Sequence, residues 1–542
     1  MKASELLIKC LENEGVEYVF GIPGEEILDI MDSLSRSSIK FVLTRHEQGA
    51  AFMANVYGRL TGKAGVCLST IGPGATNLIT GVANASLDYS PLVAISGQTS
   101  LDRIYRETHQ YINVVEMFRP ITKWTTRVEY PETLPVSVRK AFDLAQTERP
   151  GATHIEIPMD VSAAEVQGIP QEVTTTEYAI PSPPSIQRAA TMIEQASYPV
   201  IIAGNGVIRR GAVRELTELA QKLQIPVTQT FMGIGSIDYL NPLTVLSSDL
   251  QARDWAMCGL DQTDVVITVG YDQIDCAPMF WNADKNKKII HINVLSSVVD
   301  EHYLPEVELV GEIGLTLNAL TEACATRRSL PIDGSIHELV LGELEKYRGD
   351  EGFPLKPQKV IADLRSVLEE DDIIITDVGA HKLWIARMYP VNKPNAVIIS
   401  NGFASMGFAI PGAIATKLVY PRSNVVAVCG DGGFLMNSQE LETAKRLGLS
   451  FVTVVWADSS YGLIEWKQKN KFGSSFGVSF SNPDLIKYAD SLGLPGYRVN
   501  HPREFLPILQ TALNQRLPSL IEVAIDYREN AKLAEKMKRV HV

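Results

Sequence analysis

The stretch NVVAVCGDGGFLMNSQELETAKRLGLSFVTVVWADSS, Asn424 to Ser460, decides how the chain folds. Two apolar runs, NVVAVCG and FVTVVWA, each end in an aspartate, Asp431 and Asp458, with a glycine-rich turn after the first and a helical stretch between them. Runs that are apolar on both faces and separated by a helix read as neighbouring strands of a parallel sheet covered by helices. Right-handed crossovers bring the carboxyl ends of such strands to one edge, so the two carboxylates, 27 positions apart, are expected to converge there.

Two hard oxygen ligands make a poor complete site. Mg²⁺ takes six and commonly draws the remainder from phosphate and water. Gly430, Gly432 and Gly433 leave room for backbone N–H groups to approach phosphate oxygens, and a helix beginning near Asn437 would add its positive end. A Mg²⁺-diphosphate cofactor fits better than a bare metal. GDGG alone is equally an ordinary turn; the strand before it, the helix after it and the second strand ending in Asp458 favour the site. Other phosphate devices are absent: no Walker A pattern occurs, and neither GIPGEEILDI nor GNGVIRRG has the glycine spacing of a dinucleotide fingerprint.

The same alternation extends outward in both directions. YVFGIPG, KFVLTRHE, AGVCLSTIGPG, SPLVAISGQ and ATHIEIPMD read as buried strands of a first unit, residues 1–166. The proline-rich Gln167–Gln187 stretch has linker composition. YPVIIAGNGV, QIPVTQT, DVVITVG and KIIHINV build a second unit, residues 185–325. DIIITDVG, AVIISNG and LIEVAIDY join the opening stretch in a third, residues 356–527, leaving residues 528–542 as a C-terminal tail. The fold class expected is α/β, with three doubly wound parallel-sheet domains, and 542 residues are too many for a single core.

Composition narrows the function classes. With 50 Lys and Arg against 63 Asp and Glu, a formal charge of -13 and no basic run, an extended nucleic-acid surface is not expected. The six cysteines, at 10, 67, 258, 276, 324 and 429, form no CxxC pair and read as core residues of a reduced, cytoplasmic protein. No signal-peptide core opens the chain and no apolar stretch approaches membrane-spanning length.

On these residues the chain resembles the thiamin diphosphate enzymes, whose signature is GDG followed some 25 to 30 positions later by Asn or Asp. The resemblance implies that Asp431 and Asp458 bind Mg²⁺ by side chain and Ser460 by its main-chain oxygen, with Gly432 and Gly433 at the diphosphate. In LTRHEQGAAFMANVYGRLTG, Glu47 is by itself equally a helix N-terminal acid favoured by the helix dipole. In the family it resembles the glutamate that hydrogen-bonds N1′ of the aminopyrimidine and promotes loss of the C2 proton. Met406, in SNGFASMGFAIPGAIA, is either a core methionine or the apolar wedge beneath a bent cofactor. The resemblance adds the Ala404 carbonyl opposite the 4′ amino group, Ala380 and His381 beside the diphosphate, and Gly72 of LSTIGPGATNLITGVANA in the pyrimidine pocket, with Asn77 and Asn84 as supports. It also implies a cofactor held between domains of two subunits: a homodimer at least, with a homotetramer common.

Within that family the chain looks most like FAD-independent, catabolic-type acetolactate synthases. RETHQYINVVEMFRPITKW, TDVGAHKLWIARMYP with IISNG, and VVWADSSYGLIEWKQKNKFG carry the likeness. It implies condensation of two pyruvates, with loss of CO₂, to 2-acetolactate through a hydroxyethyl carbanion or enamine. His109 and Gln110 stand where that branch has a pair facing the reacting carbons; they either assist the acceptor or order the loop. Trp466 resembles a pocket tryptophan of biosynthetic synthases, displaced by one residue. FMGIGSIDYLNP stands where an FRNQPG-like stretch is expected. VGYDQIDCAPMFWN lacks the arginine of flavin-binding relatives, so FAD is not expected, although AGNGVIRRG could form an anion-binding turn. The alternatives are a 2-oxoacid decarboxylase releasing an aldehyde and a homologue without cofactor.

Overall fold

The computed structural model describes residues 1–174, 176–245, 260, 263–325 and 335–530. Cys258 and residues 531–542 of the C-terminal tail lie outside them. Among the described residues the strands fall into three sheets, and every strand pair is parallel.

The first sheet contains β1 (Tyr18–Gly21), β2 (Lys40–Leu43), β3 (Gly65–Ser69), β4 (Leu92–Gln98), β5 (Trp124–Arg127) and β6 (Ala152–Pro158), in the order β2-β1-β3-β4-β6-β5. The second contains β7 (Pro199–Ala203), β8 (Val227–Gln229), β9 (Val265–Val269), β10 (Lys288–Asn293) and β11 (Val307–Val310), ordered β11-β10-β9-β7-β8. The third contains β12 (Ile373–Thr376), β13 (Val397–Ile399), β14 (Val425–Gly430), β15 (Val452–Ala457), β16 (Gly496–Val499) and β17 (Ser519–Ala524), ordered β13-β12-β14-β15-β17-β16. In each sheet the strand order reverses near the middle, which opens a crevice at the carboxyl ends. Strands β3, β4, β6, β9 and β12 are buried at every position, as a sheet covered on both faces requires.

The first and third units share one core. The helix Glu47–Thr61 carries Ala50, Ala51, Ala54 and Gly58 on buried positions and packs on the helix Ala409–Val419, where Phe52 meets Phe408 edge to face at 5.7 Å. A Cβ on Gly81 would fall 2.4 Å from the Ala51 methyl, so the helix Pro73–Leu87 lies against the same helix at glycine distance. Small residues thus let three helices approach closely and carry their N-terminal ends, Glu47 among them, to the edge where strands end.

Candidate active site

Strands β14 and β15 are neighbours, with Gly430 paired to Trp456, so Asp431 and Asp458 leave the third sheet side by side. The Asp431 carboxylate is 1% exposed and accepts from the backbone N–H of Asp458 at 3.1 Å, of Ser459 at 2.7 Å and of Gly432 at 2.9 Å. Burial, and then the neighbouring Asp431, push the Asp458 carboxyl up to about 7. Asp431, Asp458 and Ser460 line one cavity with Gly379, Ala380, His381, Met406, Gly430, Gly432, Gly433, Tyr461 and Tyr527. No lysine or arginine is among the residues lining it. Two adjacent carboxylates without a counter-ion offer a place for a divalent cation. No group of three His, Cys, Asp or Glu side chains fit for a metal occurs among the described residues. A divalent cation between the two acids would have to draw its remaining ligands from main chain, water or a ligand's own oxygens.

The donor side of the cavity fits a diphosphate. The helix starts at Asp431 itself, Asp431–Asn437, and not near Asn437 as the sequence pattern suggested. Gly430 is already extended at its N-cap, so the glycine N–H groups belong to the first helical turn. A second helix, Glu440–Arg446, follows. Glycine is required sterically: a Cβ on Gly432 would lie 2.7 Å from the Tyr461 ring, and one on Gly433 2.7 Å from the Asp377 carboxylate. His381 is 2% exposed, hydrogen-bonds the Asp377 main chain, and is held neutral by burial, its pKa lowered to about 3. Its Nε2 is buried without a hydrogen-bond partner among the described residues.

Met406 lines the cavity from a turn under backbone constraint. Ala404 has φ +56° and Gly407 φ +85°. The turn is pinned on one side by Asp377, which accepts from Gly407 N–H at 2.9 Å, and on the other by Asn84, whose side-chain oxygen accepts from Ser400 at 3.0 Å and Ser405 N–H at 3.4 Å. Asp88 accepts from Gly402 N–H at 2.8 Å. A non-glycine residue at positive φ persists only where its surroundings over-determine it.

Glu47 is not part of this cavity, which contains no residue of the first unit. It is 8% exposed at the start of its helix, where His46 is the N-cap and accepts from Gln48 N–H. Asn77 donates to the Glu47 carboxylate at 2.9 Å. Gly72, φ +54°, opens the helix Pro73–Leu87, and a Cβ there would fall 2.8 Å from the Gln110 carbonyl oxygen. His109 and Gln110 are exposed at this edge, and Gln110 has φ +56°. Trp466 is half-buried on the helix Gly462–Phe472 and does not line the cavity, whereas Leu463 and Ile464 do. Two positions past Ile464 is a rotation of about 200°, which carries the indole off the cavity side.

Three polar groups that brace the segments around the site escaped the sequence reading. Asp377 ends β12 as Asp431 ends β14, a signal visible in TDVGAH. Asn482 donates to Asp431 at 2.7 Å from a loop with no local signature. Glu440, fully buried, accepts from Arg45 and His46 N–H, both at 3.0 Å, and from the Thr443 hydroxyl at 2.7 Å, tying the third unit to the start of the Glu47 helix. Burial pushes its carboxyl up to about 7, against the pull of those donors. A carboxyl that holds its proton more tightly folded than unfolded favours the fold below its ordinary value of 4.5, and that advantage is lost as pH rises to about 7. Glu440→Gln is therefore expected to flatten the decline of unfolding free energy across this window by on the order of 2 kcal/mol. Parallel pH–stability curves for parent and variant would contradict it.

In the second unit, the anion-binding turn suggested by AGNGVIRRG is filled from within. Gly204 N–H donates to Val269 O and Gly206 N–H to Gly270 O, both at 2.9 Å. Arg209 pairs with Glu148 at 3.4 Å and Asp272 at 3.1 Å, and Arg210 faces Glu312 at 3.8 Å.

Comparison with known proteins agrees with this architecture. The chain matches the thiamine pyrophosphate enzyme N-terminal TPP binding domain over residues 1–117, the central domain over residues 186–320 and the C-terminal TPP binding domain over residues 377–523. It is 35% identical to the acetolactate synthase of Bacillus subtilis (strain 168), covering 98% of this chain and 95% of that protein. Identity to the catabolic acetolactate synthase of Raoultella terrigena is 34%, over 98% and 96%. Identity to the acetolactate synthase isozyme 2 large subunit of Escherichia coli (strain K12) is 32%, over 98% and 96%. With all three domains matched and relatives of this kind along almost its whole length, the chain belongs to the thiamine pyrophosphate enzyme family, as an enzyme of the acetolactate synthase type.

Proposed function

We propose that the enzyme joins two pyruvates, releasing CO₂, to give 2-acetolactate, with Mg²⁺ held by Asp431, Asp458 and the Ser460 carbonyl. Thiamin diphosphate, when bound, supplies the carbanion chemistry. The chain supplies the rest. Gly433 offers a first-turn N–H group to the diphosphate, Gly432 leaves room for its approach, and Ala380 and His381 close its other side. Met406 supports the ring region, with Ala404 presenting a carbonyl from a strained turn. Glu47, shielded from water and steadied by Asn77, is the carboxyl placed to exchange a proton with the aminopyrimidine N1′. Gly72 lines the pyrimidine side, and His109 and Gln110 orient the acceptor carbonyl or donate a proton to its oxygen.

One observation carries this reading: the acids, glycines and Met406 share a cavity from which Glu47 is absent. A cofactor spanning both ends needs Glu47 from a second copy, making a homodimer the smallest complete unit and a homotetramer a further pairing. Phe403, Leu435, Met436, Tyr461 and Ile464, on the segments that build the cavity, are 39–49% exposed, which fits a surface that another chain covers. The filled turn and neutralised arginines of the central domain favour an enzyme without FAD. The boundaries 1–166, 185–325 and 356–527 are the units we assign. No helix among the described residues is long and apolar enough to cross a membrane, and we place the enzyme in the cytoplasm.

The test is product analysis with pyruvate alone and with pyruvate plus 2-ketobutyrate, in the presence of thiamin diphosphate and Mg²⁺. Acetolactate is expected to exceed acetaldehyde; acetaldehyde as the main product would favour the 2-oxoacid decarboxylase. His109→Phe is expected to shift that ratio by a few-fold, and an unchanged ratio would reduce the imidazole to packing.

A further inference from the structure

A row of polar side chains lies buried on the first sheet where a covered sheet would ordinarily present apolar ones. Ser96 of β4 and Arg127 of β5 both stand in register with Glu156 of β6. Ser96, Gln98, His154 and Glu156 are each fully buried, and the Arg127 side chain is 15% exposed. Glu156 forms an ion pair with Arg127 and accepts from the Gln98 amide at 2.7 Å. The same amide donates to the Ile112 carbonyl at 3.3 Å, and the Tyr111 hydroxyl lies within electrostatic reach of Arg127. Between these two anchors and Thr108, whose carbonyl accepts from Tyr111 N–H at 3.2 Å, runs the turn carrying His109 and Gln110. Burial pushes the Glu156 carboxyl up, with Arg127 and then Gln98 opposing the shift.

Stability does not account for this cluster. A buried ion pair gives back most of its Coulombic gain as desolvation, and apolar residues of similar volume serve stability as well or better. Its partners on the loop side are the two residues after Gln110, whose φ of +56° has to be enforced by its surroundings. Gly72 lets the Gln110 backbone pack close, since a Cβ there would fall 2.8 Å from the Gln110 carbonyl oxygen. We propose that Arg127, Glu156 and Gln98 are positioning residues that, through Tyr111 and Ile112, fix the His109–Gln110 turn and thereby set the division between carbon–carbon bond formation and proton addition. The inference rests on the reading that this turn faces the reacting carbons.

The experiment measures the acetolactate to acetaldehyde ratio of the full chain with thiamin diphosphate, Mg²⁺ and pyruvate. Glu156→Gln is expected to lower the ratio at least threefold, while hydrogen exchange at the thiazolium C2, which depends on Glu47, keeps the parent rate. The double variant Arg127→Met/Glu156→Leu removes both charges and keeps the sheet packed, and the same fall is expected; it decides the matter should Glu156→Gln fail to fold. A parent-like ratio in the folded variants, or a fall matched by an equal loss of C2 exchange, would overturn the inference. His109→Phe separates the two layers. If it shifts the ratio and the sheet variants do not, only the positioning role falls. If it does not shift the ratio, the reading of the turn falls, and the inference with it.

Discussion

Glu47→Gln is expected to slow exchange of the thiazolium C2 proton by at least tenfold, and on the order of 10²-fold if the carboxyl acts as a full general acid–base. The amide matches the carboxyl in size and can still accept from Asn77, whose side chain lies 2.9 Å from the Glu47 oxygen, so the start of the helix should keep its shape. What it cannot do is gain or lose a proton. Cofactor affinity should change far less than the exchange rate, because the cavity proposed for the diphosphate is not lined by Glu47. Proton exchange followed by NMR on the bound cofactor, with binding measured by calorimetry on the same samples, separates the two. An unchanged exchange rate would leave Glu47 as a helix N-terminal acid, the other role its position at the start of an apolar helix allows.

How much of this could be read in advance depended on how local each signal was. Strands apolar on both faces announced three covered parallel sheets, because burial on both sides leaves no alternation to obscure the pattern. Asp431 and Asp458 were legible for the same reason: each is the first polar residue after such a strand, and parallel order brings strand ends together. Gly72 and Gln110 touch, yet nothing in either segment encodes the other; their contact needs β3 and the loop after β4 to be placed first. Asn482 reaches Asp431 across 51 positions from an irregular loop, and Glu440 sits in a helix whose charged neighbours make it look solvent-facing. The start of the Asp431–Asn437 helix was misplaced because glycines weaken helix propensity, whereas here neighbouring Tyr461 and Asp377 exclude any side chain. Trp466 shows the converse: its resemblance to a family tryptophan suggests a pocket wall, and its one-residue offset, a rotation of about 100° on a helix, already argues against the same placement.

Asp458→Ala and Asp431→Ala should both abolish Mg²⁺-dependent cofactor binding at micromolar concentrations, weakening it by at least about 100-fold, since even groups that only orient metal ligands are worth 10–100-fold. Their effects on the protein without cofactor should differ in sign. Asp431 is the acceptor for Asp458 N–H, Ser459 N–H and the Asn482 amide, so alanine there leaves several partly buried donors unpaired and should cost on the order of 2 kcal/mol. Asp458 is half-buried beside that carboxylate, and burial together with Asp431 disfavours its charge. Removing it takes away a like-charge contact, so Asp458→Ala without ligands should melt no lower than the parent. A cation between the two acids would turn this unfavourable pair into an attractive one, as in a site built for binding at the expense of stability. Calorimetry of thiamin diphosphate with and without Mg²⁺, beside melting curves of the ligand-free variants, reads both quantities. Parent-like affinity in either variant would remove that residue from the metal's ligands. A ligand-free Asp458→Ala that melts well below the parent would show that its carboxylate already has a stabilising partner within the fold.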